Sequence, residues 1–175
     1  LSPLSTTTLQ SLIDTLDVFF ADEPLDEWRC EAWCARGASG SCKTYRLWKP
    51  PSVLLIALKR FDFEGRKERR AVHLPATLSV DRYSSGPLAR RAHMTGSSAY
   101  RLRGVVCHAG SSIAGGHYYA VLPSSDNNDG NDETTTTTTV CNDEIVLSSS
   151  SSMETGTTRE NNIDRDAYLL AYECV

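Results

Sequence analysis

The chain has 175 residues, 40% of them hydrophobic and 23% charged, with a net charge of −4. That length supports one domain with a sizeable core. The acidic balance argues against a general nucleic-acid binder, and no apolar run approaches the roughly 20 residues that cross a bilayer.

The opening stretch, Leu1-Ser2-Pro3-Leu4, has neither the basic flank nor the apolar centre of a secretory leader. It also lacks an initiator Met, as expected of a piece of a longer protein. Residues 8–20 read as a helix, because Leu9, Leu12, Ile13, Leu16, Phe19 and Phe20 recur at helical spacing. Residues 28–44 hold two tryptophans and the cysteines Cys30, Cys34 and Cys42. With no secretory signal, these and Cys107, Cys141 and Cys174 are expected as reduced thiols or metal ligands. That places the protein in the cytosol or nucleus.

Beyond Pro50-Pro51, the run Val53–Leu58 predicts a strand buried on both faces. The charged stretch 64–70 reads as a solvated turn. Residues 71–80 form a further strand candidate in which Pro75 favours an edge or a bend. Residues 100–121 read as two apolar strands joined by a loop of small residues. The segments 124–139 and 148–162, rich in Ser, Thr, Asn and Asp, predict disordered insertions, since they bury too little apolar surface to offset the entropy of ordering. Between them lies a short strand at 140–147, and the chain ends on the compact apolar strand Ala167–Tyr172. The whole of 1–175 reads as one β-rich domain with decorated loops.

The most informative run is Gly115-Gly116-His117-Tyr118-Tyr119-Ala120. A histidine at the start of a strand is held by the sheet and reached from its rim. Flanking glycines let another backbone come close. That suits a general base.

Four pieces, in order, resemble the ubiquitin-specific proteases, a family of papain-like cysteine peptidases. They are Trp28-Arg-Cys-Glu-Ala-Trp-Cys34; Leu47-Trp-Lys-Pro-Pro-Ser-Val-Leu-Leu-Ile-Ala-Leu-Lys-Arg-Phe61; the histidine run within 100–121; and the pair formed by Cys141-Asn142-Asp143-Glu144-Ile145-Val146 and Ala167-Tyr-Leu-Leu-Ala-Tyr172. The resemblance implies an α+β fold: the mainly antiparallel palm and part of the fingers, with a short N-terminal helix. It implies thiol-dependent hydrolysis of the bond after the C-terminal glycine of ubiquitin, with ubiquitin and ubiquitinated proteins as partners and neither nucleic acid nor membrane.

Residue by residue, the resemblance makes His117 the base and Asn142 its orienting residue. Asp143 competes with Asn142, because neighbours in a strand point to opposite faces. His108, Gly115, Gly116 and Tyr118 are implied at the substrate tail. No cofactor is implied for catalysis. Cys30 and Cys34, with Cys42 as a third donor, leave room for a structural zinc, although two close pairs are the usual pattern and a second pair is not visible. No cysteine here sits in the family's Gly-Leu-x-Asn-x-Gly-Asn-x-Cys-Tyr nucleophile box. The resemblance is therefore to the C-terminal half of the catalytic domain, and the alternative is a ubiquitin-binding module that does not cut.

Overall fold

The computed structural model describes residues 10–25, 41–85, 99–125, 136–151 and 160–175. The Trp28–Cys34 stretch, with both candidate metal cysteines, lies outside them. Two short strands, β1 (Gln10–Ser11) and β5 (Val72–His73), pair in parallel. Two others, β2 (Glu23–Pro24) and β3 (Cys42–Lys43), pair antiparallel.

Helix α1 (Leu12–Phe20) begins where the sequence can cap it. Ser11 Oγ accepts from the Ile13 N–H at 3.1 Å, and Asp14 Oδ2 accepts from the Ser11 N–H at 3.2 Å, a reciprocal cap that satisfies two orphan donors. Its inner face is Leu12, Leu16 and Phe20, while Val18 and Phe19 stay exposed. Only part of the predicted apolar stripe is therefore used.

The main sheet has seven strands among the described residues, in the order β10-β9-β8-β7-β11-β4, with β6 also pairing to β7. Its members are β4 (Val53–Ala57), β6 (Thr77–Ser79), β7 (Ala99–Ser112), β8 (Gly115–Ser125), β9 (Thr136–Asn142), β10 (Ile145–Ser151) and β11 (Ala167–Cys174). A second helix, α2 (Glu160–Asp166), leads directly into β11. Neither helix is long and apolar enough to cross a membrane among the described residues.

The core is built on Leu12, Leu78, Val80, Tyr100, Cys107, Leu170 and Tyr172. Burying a Leu of this kind contributes about 1.5–3 kcal/mol. The core tyrosines keep their hydroxyls satisfied: Tyr100 donates to Pro51 O at 2.6 Å and Tyr172 to Pro75 O at 2.8 Å.

Four expectations change. β4 is an edge strand, with Leu54 and Ile56 half-buried and Val53 and Leu55 exposed, so only one of its faces is covered. The 140–147 strand is instead a turn at Asp143–Glu144 between β9 and β10, in which Asn142 pairs with Ile145. Strands also run into both segments read as disordered: β8 continues to Ser125, β9 starts at Thr136 and β10 reaches Ser151. Their β-branched threonines suit a pleated ladder, and residues 126–135 and 152–159 lie outside the described set. Finally, the charged turn at 64–70 is not wholly solvated, because the Lys67 side chain is 1% exposed.

Candidate active site

The turn Ile113–Ala114 joins β7 to β8, and His117 is the third residue of β8. The register pairs Ala109 with His117, His108 with Tyr118, and Cys107 with Tyr119. Successive side chains alternate across a sheet, so His117 and His108 face opposite sides of one hairpin. His117 shares the face of Cys107 and Tyr119 but lies one pair beyond the core, with its side chain 45% exposed.

Its Nε2–H donates to Asn142 Oδ1. An amide oxygen only accepts, so this bond places the neutral ring's proton on Nε2 and leaves the lone pair on Nδ1. Asp143 Oδ2 stands 3.7 Å from the same Nε2. Asn142 and Asp143 both reach the ring because Asp143 opens a turn, with φ of 51°, a conformation Asp tolerates better than most residues. Strict strand alternation, which would have separated the two, does not apply there.

On the opposite face His108 is 2% exposed. Its ring lies 4.7 Å from that of Tyr118 and 5.4 Å from that of Phe61, and Tyr168 completes the cluster at 6.0 Å from Tyr118 and 6.1 Å from Phe61. His108 Nδ1 is buried with no hydrogen-bond partner among the described residues. Burial first, and the Lys67 ammonium second, hold the imidazole below its ordinary range, which favours the neutral ring.

Gly116 is explained by this packing, since a Cβ there would sit 2.1 Å from His108 Nε2. Gly115 is different: among the described residues a Cβ would meet nothing within 4 Å. The structure thus gathers His117, Asn142 and Asp143 on one face, and His108, Gly116 and Tyr118 on the other, with Gly115 open at the strand's start.

Phe61, Tyr168 and Lys67 were not singled out from the sequence. Phe61 and Tyr168 stood inside the Leu-Lys-Arg-Phe and Ala-Tyr-Leu-Leu-Ala-Tyr runs, so their signal was present. Lys67 was hidden in a charged stretch. Cys107 is fully buried, and burial pushes its thiol up to about 11, which suits an inert core residue. Cys141 is half-buried on β9, paired with Ala120.

Among the described residues no three His, Cys, Asp or Glu side chains gather as a metal site. Cys42 is exposed on β3, with Thr44 Oγ1 at 3.9 Å; the other two candidate zinc donors, Cys30 and Cys34, lie outside the described residues. An apolar groove of about 480 Å³ runs between α1 and β4, lined by Leu12, Leu16, Phe20, Leu54 and Ile56, and none of the predicted site residues lines it.

The family model described as ubiquitin carboxyl-terminal hydrolase matches residues 6–172. The chain is 32% identical over 113 residues to the probable ubiquitin carboxyl-terminal hydrolase 3 of Schizosaccharomyces pombe, covering 62% of this chain and 21% of that protein. It is 34% identical over 112 residues to ubiquitin carboxyl-terminal hydrolase 16 of Arabidopsis thaliana, covering 57% and 10% respectively. The chain thus spans about a fifth or less of the length of these curated relatives.

Among solved structures, it resembles a chain of the Ubp8/Sgf11/Sus1/Sgf73 SAGA DUB module bound to monoubiquitin. The TM-score is 0.69 and the identity 26%, over 95% of this chain and 33% of that one. A yeast SAGA DUB module matches at a TM-score of 0.67 and 25% identity over the same shares. The mainly antiparallel sheet with few helices is the fold these hydrolases share, and the chain belongs to the ubiquitin carboxyl-terminal hydrolase family.

Proposed function

We propose that this chain supplies the base half of a deubiquitinating cysteine peptidase, with His117 as general base, Asn142 as its orienting residue and ubiquitin as the ligand. The observation that supports this most is the His117 Nε2–H bond to Asn142 Oδ1 on an exposed rim, in a chain that the family matches over 6–172.

In this reading Nδ1 takes the proton of a cysteine thiol contributed by the rest of the catalytic domain. The thiolate attacks the carbonyl carbon of ubiquitin's terminal glycine. The imidazolium returns the proton to the departing amine as the C–N bond breaks, leaving a thioester. Water, deprotonated by the same Nδ1, then cleaves the thioester and regenerates the thiol. Asn142 holds the ring in the required tautomer and stabilises the imidazolium. Asp143 adds negative charge near Nε2. His108, Gly115, Gly116 and Tyr118 are assigned to the passage for the extended tail, whose glycines need close backbone approach. Zinc on Cys30, Cys34 and Cys42 belongs to the same proposal, and metal analysis of the purified protein decides it.

The test is hydrolysis of a fluorogenic ubiquitin substrate by the full-length protein. His117→Ala is expected to lower kcat/KM by about 10²–10⁴-fold. Asn142→Ala removes a charge-assisted hydrogen bond of about 1.5–3 kcal/mol, roughly 10–100-fold in rate. Residues 1–175 alone are expected to show no turnover, for want of the nucleophile box. An unchanged rate for His117→Ala overturns the assignment. Tight ubiquitin binding without labelling by a C-terminal electrophilic probe favours a binding module in its place.

A further inference from the structure

The backbone that carries His117 is held unevenly. At Ala120 and Val121 β8 pairs on both sides, to β7 and to β9, but at His117 the register runs to β7 alone, through Ala109. β7 becomes irregular directly past that pair, with a register shift between Ala109 and Ser112. His117 therefore sits on the last regular pair of a one-sided ladder, where a base that must keep its aim needs outside support.

The 60s loop supplies it. The Lys67 ammonium donates to the carbonyl oxygen of His108 and to Asp166 Oδ1, the latter at 2.6 Å. Its backbone N–H donates to Ser111 O at 3.0 Å, and the Ile113 N–H to Gly65 O at 2.9 Å. Arg66 bridges Ser112. The irregular stretch of β7 is thus tied to this loop in place of a normal ladder.

Asp166 is itself anchored, as the last residue of α2. The buried guanidinium of Arg60 donates to the carbonyls of Ala167 at 2.6 Å, Asp164 at 2.6 Å and Arg70 at 2.7 Å. A sealed ammonium is costly unless fully paired. Here it is paired to one carboxylate and one carbonyl, and that carbonyl belongs to the residue next to His117's ladder partner.

We propose that Lys67, clamped by Asp166, is a positioning residue: it fixes the His108–Ala109 backbone and through it the His117 ring against Asn142. The inference rests on His117 being the base, yet it is read on a different observable.

The experiment follows the His117 ring Nε2–H by nitrogen-15 NMR in the full chain, with Asn142→Ala as reference for a broken bond. Lys67→Met and Asp166→Asn are expected to speed exchange of that proton with water by at least about tenfold, or to remove its signal, and to move the Asn142 side-chain amide resonances. Lys67→Arg, which keeps the charge and the donors, is expected to retain most of the protection. A variant whose melting temperature falls while His117 Nε2–H exchange stays at the native rate overturns the proposal and leaves Lys67 a purely structural ion. Should Lys67→Met fail to fold, Asp166→Asn and Lys67→Arg carry the test by the same criterion. Unchanged hydrolysis in His117→Ala would overturn the base assignment without altering the exchange result, so the two failures are separable.

Discussion

His117 and His108 stand on one hairpin, nine residues apart in sequence and one register pair apart in space, and their environments are opposites. His117 is half-exposed and bonds Asn142 through Nε2. His108 is buried against Phe61 and Tyr118, with Nδ1 unpaired among the described residues. The same side chain is accessible on one face and buried in an aromatic cluster on the other. The sheet makes that distinction by alternation alone. What the residue can do is decided by which face it occupies and how far the core extends beneath it.

The contrast is broken most sharply by exchanging the two losses. His117→Ala is expected to reduce turnover of the full-length protein by the 10²–10⁴-fold given above, with stability changed by no more than about 0.5 kcal/mol, as for an exposed substitution. Thermal melting beside the kinetic assay checks both halves. A large drop in melting temperature would move His117 into the structural class.

Next come the two glycines. Gly116→Ala drives a Cβ into His108 and is expected to destabilise by about 1–3 kcal/mol, the range for overpacking. Gly115→Ala meets open space and should stay within about 0.5 kcal/mol. Denaturant titration of the pair measures the difference directly, and equal effects would contradict the packing described.

Acid comes third. The folded state prefers His108 neutral, with burial the first cause and Lys67 the second, while Asp166 opposes them. An unfolded imidazole takes its proton near pH 6.5. The stability conferred by His108 is therefore complete above that pH and is lost as pH falls below it. Melting temperature should decline from pH 7.5 to 5, and His108→Gln should flatten that decline.

The smallest effect is expected at the alkaline end. Cys107, on the face of His117 but one pair deeper, is raised to about 11 by burial. Its contribution is intact below the ordinary thiol value of about 8.5 and is lost as pH climbs toward 11. Cys107→Ala should remove that slope while costing some packing.

The hairpin and the terminal strand were legible because runs of apolar residues marked them, and α1 because Leu12, Leu16 and Phe20 recur at helical spacing. The Gly-Gly-His run opens β8, where the sequence predicts the start of a strand. Other features were hidden for identifiable reasons. A continuous run such as Val53–Ala57 has no periodicity, so it reads the same whether one face or two are covered. The Thr run of β9 looks like a solvated tract until Leu122 and Val121 are seen opposite Thr139 and Val140. Helix α2 lies at the end of a stretch dominated by Ser, Thr and Asn. Burial of Lys67 depends on Asp166, 99 residues further on, and no local pattern can announce a partner that distant.

The two outermost strands of the described sheet, β4 and β10, each turn apolar side chains outward: Val53 and Leu55 at one end, Ile145 and Val146 at the other. Unpaired amides along such flanks invite a like segment from another molecule, so clumping should grow with concentration when the chain is handled by itself. A lysine in place of Leu55 would blunt one flank and raise solubility without touching the hairpin that bears His117.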